Sequence, residues 1–253
     1  MNLDQKVTQD REKHGPTIGR VVALWRYPVK SMGAESLEEV DVSWHGLAGD
    51  RRWALVRGGV ERSGFPWLTI REQPELVNYR PWFVEPGKPD MSPTRVRTPA
   101  GRDLDVVDPA LAAELGHDSR VIKQNRGVFD TFPLSLITTQ TVAELRTMLG
   151  TDLDIRRFRP NLLVDATSRV TFPEDTWVGG VLRIGDAMLR VDKRDKRCVV
   201  VNVDPETARQ DPSTLRAIAK ARDGCLGVYG STVQPGRIAV GDPVYLDGSS
   251  PYP

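Results

Sequence analysis

Residues 181–203 read VLRIGDAMLRVDKRDKRCVVVNV and contain three short apolar runs. The runs at residues 181–184, 188–191 and 198–203 are each predicted to form a strand, because short apolar runs between polar or turn residues are typical of buried strands. Four basic residues separate the second run from the third. Strands this short favour a sheet that is assembled from many small segments.

The rest of the chain follows the same pattern of short strands and few helices. Further strands are predicted at residues 18–30, 38–44, 52–57, 161–164, 227–229, 237–240 and 243–246. Helices are predicted at residues 108–115, 140–149 and 212–222, with Thr139 or Thr141 as the cap of the second. Because strands and helices do not alternate regularly, the sequence predicts a β-rich α+β fold of the β-barrel type rather than a doubly wound sheet.

One proline-rich stretch suggests a domain boundary. Residues 85–102 read EPGKPDMSPTRVRTPAGR and contain four prolines, which exclude a regular helix and predict a long surface connection. We therefore expect a flexible tail at residues 1–16, a first domain at 17–100 and a second at 101–250.

Composition and charge exclude several classes of protein. The 253 residues include 35 Lys and Arg against 34 Asp and Glu, a formal net charge of +1. We therefore expect no nucleic-acid and no membrane partner, because a near-neutral chain has no field to hold a polyanion nonspecifically. No apolar run approaches the roughly 20 residues that span a bilayer. Residues 1–16 mix both charge signs and do not resemble a secretory signal, so we expect a cytoplasmic protein.

Cysteine and histidine are scarce. The two cysteines, Cys198 and Cys225, cannot build a disulfide framework, and they form no zinc-binding pattern with His14, His45 and His117. An iron–sulfur cluster with four cysteine ligands is also impossible within this chain. Any electron-transfer chemistry must then use another cofactor, or electrons from a partner.

Cys198 has the more unusual surroundings of the two cysteines. Four of the five positions before it are Lys or Arg, and a run of valines follows it. Nearby cations favour the thiolate, which is the form that binds metals or attacks sulfur. A plain structural role stays open at this point, because cysteine is also a common buried residue. Cys225 lacks such neighbours and is expected to be structural.

Three basic clusters stand at predicted strand ends. They are YPVKS at 27–31, DRRW at 50–53 and RRFRPN at 156–161. Taken singly, each is most simply a solvated strand end. Together they supply the cations and small donors from which an anion or phosphate site is made, although sequence periodicity does not show whether they converge.

Six short motifs, in this order, resemble those of MOSC proteins, a family named after the C-terminal domain of molybdenum cofactor sulfurase. The motifs are YPVKS (27–31), GDRRW (49–53), REQP (71–74), FRPN (158–161), RC with VDP (197–198 and 203–205) and GDPVY (241–245). The resemblance covers roughly residues 17–248. The resemblance extends to an N-terminal MOSC β-barrel domain at 17–100, which precedes the MOSC domain at 101–250. Within these proteins, the chain is similar to the mitochondrial amidoxime-reducing component family.

This resemblance implies a molybdenum–molybdopterin cofactor. It implies that Cys198 is both the metal ligand and the catalytic residue, since a thiolate is a soft, strongly donating ligand. By motif position, it implies that eight further residues bind the pterin or its phosphate: Lys30, Ser31, Arg51, Thr131, Arg159, Asn161, Arg197 and Tyr229.

Three positions depart from the family pattern. The family often has a threonine where this chain has Asn202, and a glycine where it has Ala208. Lys196 replaces a small residue two positions before the cysteine. We expect this change to affect cofactor binding or the entrance for the substrate.

The function implied is that of a molybdenum-dependent oxidoreductase. It would remove oxygen from a small N-hydroxylated or related N–O or S–O substrate, with electrons from a separate donor protein. One alternative is a sulfur-transfer protein that carries a persulfide on Cys198, since sulfur transfer also needs an accessible thiolate. Another is a non-catalytic carrier of the molybdenum cofactor.

Overall fold

The computed structural model describes residues 16–60, 62–116 and 118–247. The predicted tail, except Pro16, lies outside these residues, as do His14, His117 and residues 248–250. The strands are β1 (Thr17–Arg26), β2 (Glu35–Leu37), β3 (Glu39–Ser43), β4 (Gly46–Leu47), β5 (Trp53–Val56), β6 (Arg80–Phe83), β7 (Thr94–Arg97), β8 (Asp103–Asp105), β9 (Arg120–Lys123), β10 (Leu134–Thr138), β11 (Leu162–Ala166), β12 (Val181–Ile184), β13 (Ala187–Lys196), β14 (Cys225–Gln234), β15 (Gly236–Ala239) and β16 (Pro243–Asp247). The α-helices are α1 (Pro109–Leu115), α2 (Thr139–Leu149) and α3 (Ser213–Arg222), and 3-10 helices form at Pro74–Asn78, Ile155–Phe158, Pro173–Trp177 and Val199–Asn202.

Seven strands close into a barrel in the order β1, β11, β10, β14, β13, β12 and β16, which pairs again with β1. All of these pairings are antiparallel except that of β10 with β11. The predicted β-rich α+β fold of the barrel type is confirmed. Closure removes the exposed edges that an open sheet would leave to pair with other chains.

Alternating apolar side chains fill the barrel. In β13, Leu189 and Val191 are buried while Arg190 between them is exposed. They pack with residues of the other strands, including Val164 of β11 and Val228 of β14. The period of two along each strand therefore places one face in the core.

The remaining strands form three smaller sheets. β3 pairs with β4 and β15, β5 pairs with β9, and β6, β7 and β8 form the third. A second core lies among the elements between residues 29 and 115, and Val203 of the C-terminal half packs into it. Strand pairing also links the N-terminal and C-terminal halves of the chain. The N-terminal strand β1 pairs with β11 in the barrel, and the C-terminal strand β15 pairs with β3. The division at residues 100 and 101 stays a prediction.

The strand predicted at residues 198–203 is wrong, because residues 199–202 form a 3-10 helix. Val201 packs into a core beneath α2 and α3, whereas Val203 packs into the second core. Val199 is half exposed. An extended backbone does not send these neighbours in such different directions, so tertiary packing overrides the strand preference of valine.

The surface connection predicted at residues 85–102 is also interrupted by a strand. β7 occupies the proline-free segment TRVR and pairs with both β6 and β8. The prolines lie on either side of β7, where the backbone does not need to donate a hydrogen bond to a neighbouring strand. A smaller correction concerns α2: its cap is Thr138, whose hydroxyl accepts a hydrogen bond from the amide of Thr141 at 3.2 Å.

Asn202, which departs from the family pattern, has a local explanation. Its side-chain oxygen accepts a hydrogen bond from the Leu215 amide in the first turn of α3, at 3.0 Å. The residue before this helix, Pro212, makes no side-chain cap. Asn202 therefore supplies a cap from outside the helix.

Candidate functional site

One open cavity of about 120 Å³ lies where the barrel meets the second core. All nine residues that the sequence analysis proposed for the site line it: Lys30, Ser31, Arg51, Thr131, Arg159, Asn161, Arg197, Cys198 and Tyr229. The structure therefore brings together residues that lie up to about two hundred positions apart in the chain. Their roles stay predictions.

The N-terminal wall is formed by two loops that hold each other. Lys30 and Ser31 follow β1, and the Lys30 amide donates to the carbonyl of Trp53 at 2.8 Å. Arg51 precedes β5, and its amide donates to the carbonyl of Tyr27 at 2.7 Å. These backbone bonds fix the starting points of both basic side chains.

Three lining residues have strained backbone. Ser31, Arg51 and Arg159 have φ angles of 70°, 50° and 48°, in the left-handed region that side chains avoid. Each such residue costs about 1–3 kcal/mol, which the surrounding structure must offset. Strain of this kind gathers at functional sites, and no sequence pattern indicated it here.

Asn161 ties the barrel to the cavity wall. It is fully buried, and its side-chain oxygen accepts a hydrogen bond from the Ser135 amide at 3.1 Å. Its side-chain nitrogen donates to the carbonyl of Trp25 at 3.2 Å and to the Asp50 carboxylate at 3.3 Å. These bonds join four segments of the chain.

Three guanidinium groups in the cavity have a buried nitrogen without a hydrogen-bond partner among the described residues, namely Nε of Arg157, Nη2 of Arg159 and Nη2 of Arg197. Arg159 forms no ion pair among the described residues; it lies 4.2 Å from the Tyr27 ring and donates to the Met32 carbonyl at 2.8 Å. Burial, together with the nearby charge of Arg51, lowers the pKa of Arg159 to about 10. An anion in the cavity would satisfy the Nη2 groups of Arg159 and Arg197 and compensate the charge of Arg159.

Arg51 differs because it has an acidic partner. Its guanidinium pairs with the carboxylate of Asp50, which is 1% exposed. Burial alone would lower the pKa of Arg51, but the Asp50 carboxylate outweighs it and the pKa is raised.

The Cys198 thiol lies half-buried at the cavity wall. Nη2 of Arg71 lies 3.4 Å from its sulfur and also donates to Asp130 at 3.1 Å. Asp130 in turn pairs with Lys30. Burial lowers the pKa of Lys30. Burial alone would raise the pKa of Asp130, but the charges of Lys30 and Arg71 outweigh it and hold that pKa below its usual value.

The four basic residues before Cys198 do not all surround it. Lys196 and Arg197 line the cavity. Lys193 lies against the Phe132 ring at 5.1 Å, and Arg194 pairs with Asp175 at 3.3 Å. The cation in contact with the sulfur is Arg71, which is 127 positions away in sequence.

Tyr229 and Asp195 face each other in the deeper part of the cavity. Asp195 is 1% exposed, accepts a hydrogen bond from the Ser135 hydroxyl at 3.0 Å and pairs with Arg197 at 2.8 Å. Burial raises the pKa of Asp195, and burial followed by the Asp195 charge raises that of Tyr229. Thr131 lies nearby, and Phe132 stacks on the Tyr229 ring at 5.8 Å.

Sequence reasoning missed four charged lining residues: Arg71, Asp130, Arg157 and Asp195. Signals existed for three of them. Arg71 belongs to the REQP motif, Arg157 to the basic cluster at 156–161 and Asp195 to the basic segment before Cys198, but none of the three was given a role of its own. Asp130 stands beside Thr131 and carries no pattern of its own.

The fold and site define a β-barrel protein with a cation-lined cavity that presents a thiol. The profile of the MOSC N-terminal beta barrel domain matches residues 18–121, and the profile of the MOSC domain matches residues 123–245. The chain belongs to the MOSC family, with both domains present, and the resemblance seen in the six motifs is confirmed.

Similar proteins carry related names. The chain is 25% identical to mitochondrial amidoxime reducing component 2 of Bos taurus, over 93% of this chain and 85% of that protein. It is 31% identical to mitochondrial amidoxime-reducing component 1 of Homo sapiens, over 47% of this chain and 38% of that protein. Among solved structures, the YUAD protein from Bacillus subtilis superposes with a TM-score of 0.50 at 13% identity, over 92% of this chain and 97% of that chain, which shows a shared fold.

In the part of the chain that the structure describes, no helix is both long and apolar enough to cross a membrane.

Proposed function

We propose that this protein is a molybdenum-cofactor oxidoreductase that removes oxygen from a small N-hydroxylated or related N–O or S–O substrate. The observation that carries the proposal is the presence, in one cavity, of the Cys198 thiol and the unpartnered guanidinium nitrogens of Arg159 and Arg197. A metal bound by a pterin that carries a phosphate needs both a soft ligand and buried cations.

The residues present fit such a group. Arg51, Arg159 and Lys30 would hold the phosphate, with Ser31 and Thr131 as hydroxyl donors. Arg197 and Asn161 would line the pterin, with Tyr229 at its edge. Cys198 would ligate the metal through its sulfur. When bound, the cofactor supplies two-electron redox chemistry and an open metal position for the substrate oxygen.

The overall reaction is balanced by an external reductant. For an N-hydroxylated substrate, the N–O bond breaks, two electrons and two protons are consumed, and the oxygen leaves as water. We propose that a separate donor protein delivers the electrons, since the two cysteines of this chain cannot hold a four-cysteine cluster. The names of the relatives, amidoxime reducing components, support this reaction class.

We also propose a cytoplasmic location and a small-molecule substrate, with no nucleic-acid or membrane partner. Both cysteines are free thiols, which is the usual state in reducing compartments.

The test compares the two cysteines. The protein is produced in a host that makes the molybdenum cofactor, and metal, pterin and turnover of an N-hydroxylated substrate with reduced viologen are measured. We expect Cys198→Ala to fold but lose activity, because it loses a metal ligand and only a small side chain, while Cys225→Ala stays active. A preparation with intact Cys198 that takes up neither metal nor pterin would refute the proposal.

The same thiol supports a second candidate function in sulfur transfer. Cys198 is half-buried rather than enclosed, so a sulfur donor can reach it. After incubation with a cysteine desulfurase, a mass increase of about 32 Da on Cys198 without any turnover would favour this candidate. Bound pterin without turnover of any substrate would instead favour a carrier.

A further inference from the structure

The cavity has a buried end and an exposed end. At the buried end, Asn161 and Asp195 are almost completely inaccessible. At the other end, Arg71 and Asp130 have side chains that are 34% and 40% exposed. Lys196 is exposed and also lines the cavity. A substrate that approaches Cys198 from solvent therefore enters past these three side chains.

Lys196 is held in place at this entrance. Its ammonium donates to the carbonyl of Asp223 at 2.8 Å, immediately after α3. The next residue, Gly224, has a φ of 75°, and a Cβ there would lie only 3.3 Å from the lysine nitrogen. The absence of a side chain at Gly224 thus leaves room for the lysine, and two of its three N–H donors remain available.

The other two cations near the entrance share a single carboxylate, whereas Lys196 pairs with none among the described residues. Lys30 and Arg71 both pair with Asp130. Within residues 16–60, 62–116 and 118–247, Lys196 has no carboxylate within ion-pair distance. Its ammonium binds a backbone carbonyl instead. The entrance to the cavity therefore carries a net positive charge, to which Lys196 contributes.

We propose that Lys196 is a specificity-determining residue that selects substrates carrying an anionic group, such as a carboxylate, in addition to the oxygen that is removed. This inference rests on the proposed function for the reaction itself. The ammonium would attract and hold the anionic substituent at the entrance while the N–O or S–O group reaches the metal position beside Cys198. Ile70 and Val200 provide an apolar lining for the body of the substrate.

The first experiment needs no cofactor. In metal-free protein, Cys198 is alkylated with anionic iodoacetate or neutral iodoacetamide, and the rates are followed by peptide mass spectrometry at low ionic strength. Because both reagents attack the same thiol, their rate ratio reports the charge at the entrance. We expect the iodoacetate-to-iodoacetamide ratio to fall about three-fold in Lys196→Ser and about ten-fold in Lys196→Glu, and to be kept in Lys196→Arg.

Lys220→Ser is the matched control, because Lys220 is exposed on nearby α3 but does not line the cavity. Its ratio should equal that of the wild type, and the ratio at Cys225 serves as an internal reference. An unchanged ratio at Cys198 in both Lys196→Ser and Lys196→Glu would overturn the inference, whatever the reaction is.

The second experiment uses the loaded enzyme with two matched substrates, N-hydroxybenzamidine and its 4-carboxy derivative. We expect Lys196→Ser to lower the ratio of kcat/KM for the carboxylate over the neutral substrate about three-fold or more, mainly through KM. An unchanged ratio contradicts the inference. If neither substrate is turned over by the wild type, the proposed function fails instead, and the alkylation ratio still decides the role of Lys196.

Discussion

At the scale of single residues, Arg51 and Arg159 look alike in sequence but differ in their partners. Arg51 neutralises the buried carboxylate of Asp50. Arg159 has no acidic partner among the described residues, and one of its nitrogens is unsatisfied. We therefore expect the first arginine to stabilise the fold as well as the proposed site, and we propose that the second is placed mainly for a ligand.

This difference predicts separate effects of two substitutions. Arg51→Ala and Arg159→Ala should each weaken retention of the pterin phosphate by about 1.5–3 kcal/mol, the range for a hydrogen bond to a charged group. In metal-free protein, Arg51→Ala should lower the free energy of unfolding by about 3 kcal/mol, because it leaves Asp50 buried and unpaired. Arg159→Ala should change it by no more than about 1 kcal/mol.

Cofactor content after dialysis and urea unfolding measure the two effects. Equal cofactor occupancy in wild type and both variants would mean that these arginines are not ligands. A loss of stability in Arg159→Ala as large as that in Arg51→Ala would contradict the assignment of distinct roles.

At the scale of elements, the turn after Val203 shows how a local conformation limits the choice of residue. Asp204 accepts hydrogen bonds from the amides of Glu206 and Thr207 at 3.1 and 2.9 Å, and Ala208 closes the turn with a φ of 59°. The family often has glycine at this position, and glycine adopts such a φ without steric cost. Ala208 thus occupies a strained position.

We expect Ala208→Gly to stabilise the protein by about 0.5–1 kcal/mol, since relief of left-handed strain exceeds the added entropy of the unfolded chain. The control is Ala143→Gly, at an exposed position within α2, which should lose about 1 kcal/mol. Urea unfolding measures both. Destabilisation by Ala208→Gly comparable to the control would show that the turn is not strained.

A second element-scale prediction concerns Glu174, which belongs to the 3-10 helix Pro173–Trp177. Its buried carboxyl lies at the start of α2. Its carboxyl accepts hydrogen bonds from the hydroxyls of Thr138 and Thr141, both at 2.7 Å, and burial raises its pKa above the usual 4.5. Between the usual and the raised value the folded state keeps a proton that the unfolded state has released. Its contribution to stability is therefore fully present below the unfolded-state pKa and declines as pH rises toward the folded-state pKa.

The comparison is with Glu174→Gln, which cannot titrate. We expect the unfolding free energy of the wild type, relative to this variant, to fall as pH rises above about 4.5 and to level off above the raised pKa. Urea titrations at several pH values between 4.5 and 8 provide the measurement. A relative stability that rises with pH would mean that Glu174 is ionised in the folded protein.

At the scale of the whole molecule, the cavity exists because the two halves are assembled through distant strands. β1 closes the barrel against β11 and β16, and the loop after it carries Lys30 and Ser31 to the cavity. Conversely, Val203 of the C-terminal half packs into the second core, which is built mainly from the N-terminal half. The site is therefore a property of the assembled chain rather than of either half.

The molecule as a whole is also predicted to depend on an outside reductant. Its sequence has no glycine-rich turn of the dinucleotide-binding type, so NADH or NADPH should not support turnover by the purified, cofactor-loaded protein alone. Reduced viologen should support it. The assay monitors nucleotide oxidation and product formation with an N-hydroxylated substrate. Rapid nucleotide oxidation by the lone protein would refute the prediction.

Much of the architecture followed from local pattern. Short apolar runs predicted β12 at its observed bounds, and α1 and α3 were predicted to within about a residue. The strand predicted at 198–203 was wrong because Val201 and Val203 serve different cores, and β7 was missed because it lies among prolines. The strand predicted at 18–30 ends at Arg26, and several strands were not predicted, among them β10 of the barrel.

The sequence by itself determined the class of fold, the family and the basic residues at strand ends, because periodicity and short motifs are local properties of the chain. Tertiary structure alone decided that the nine proposed residues share one cavity, that Arg71 contacts the Cys198 sulfur and that Lys196 lines the cavity without a carboxylate partner among the described residues. Alternation tells which face of a strand is buried, but the choice of partner strand depends on contacts between distant residues. Side chains from the loop after β1, from β13 and from other loops therefore meet only once the barrel has closed.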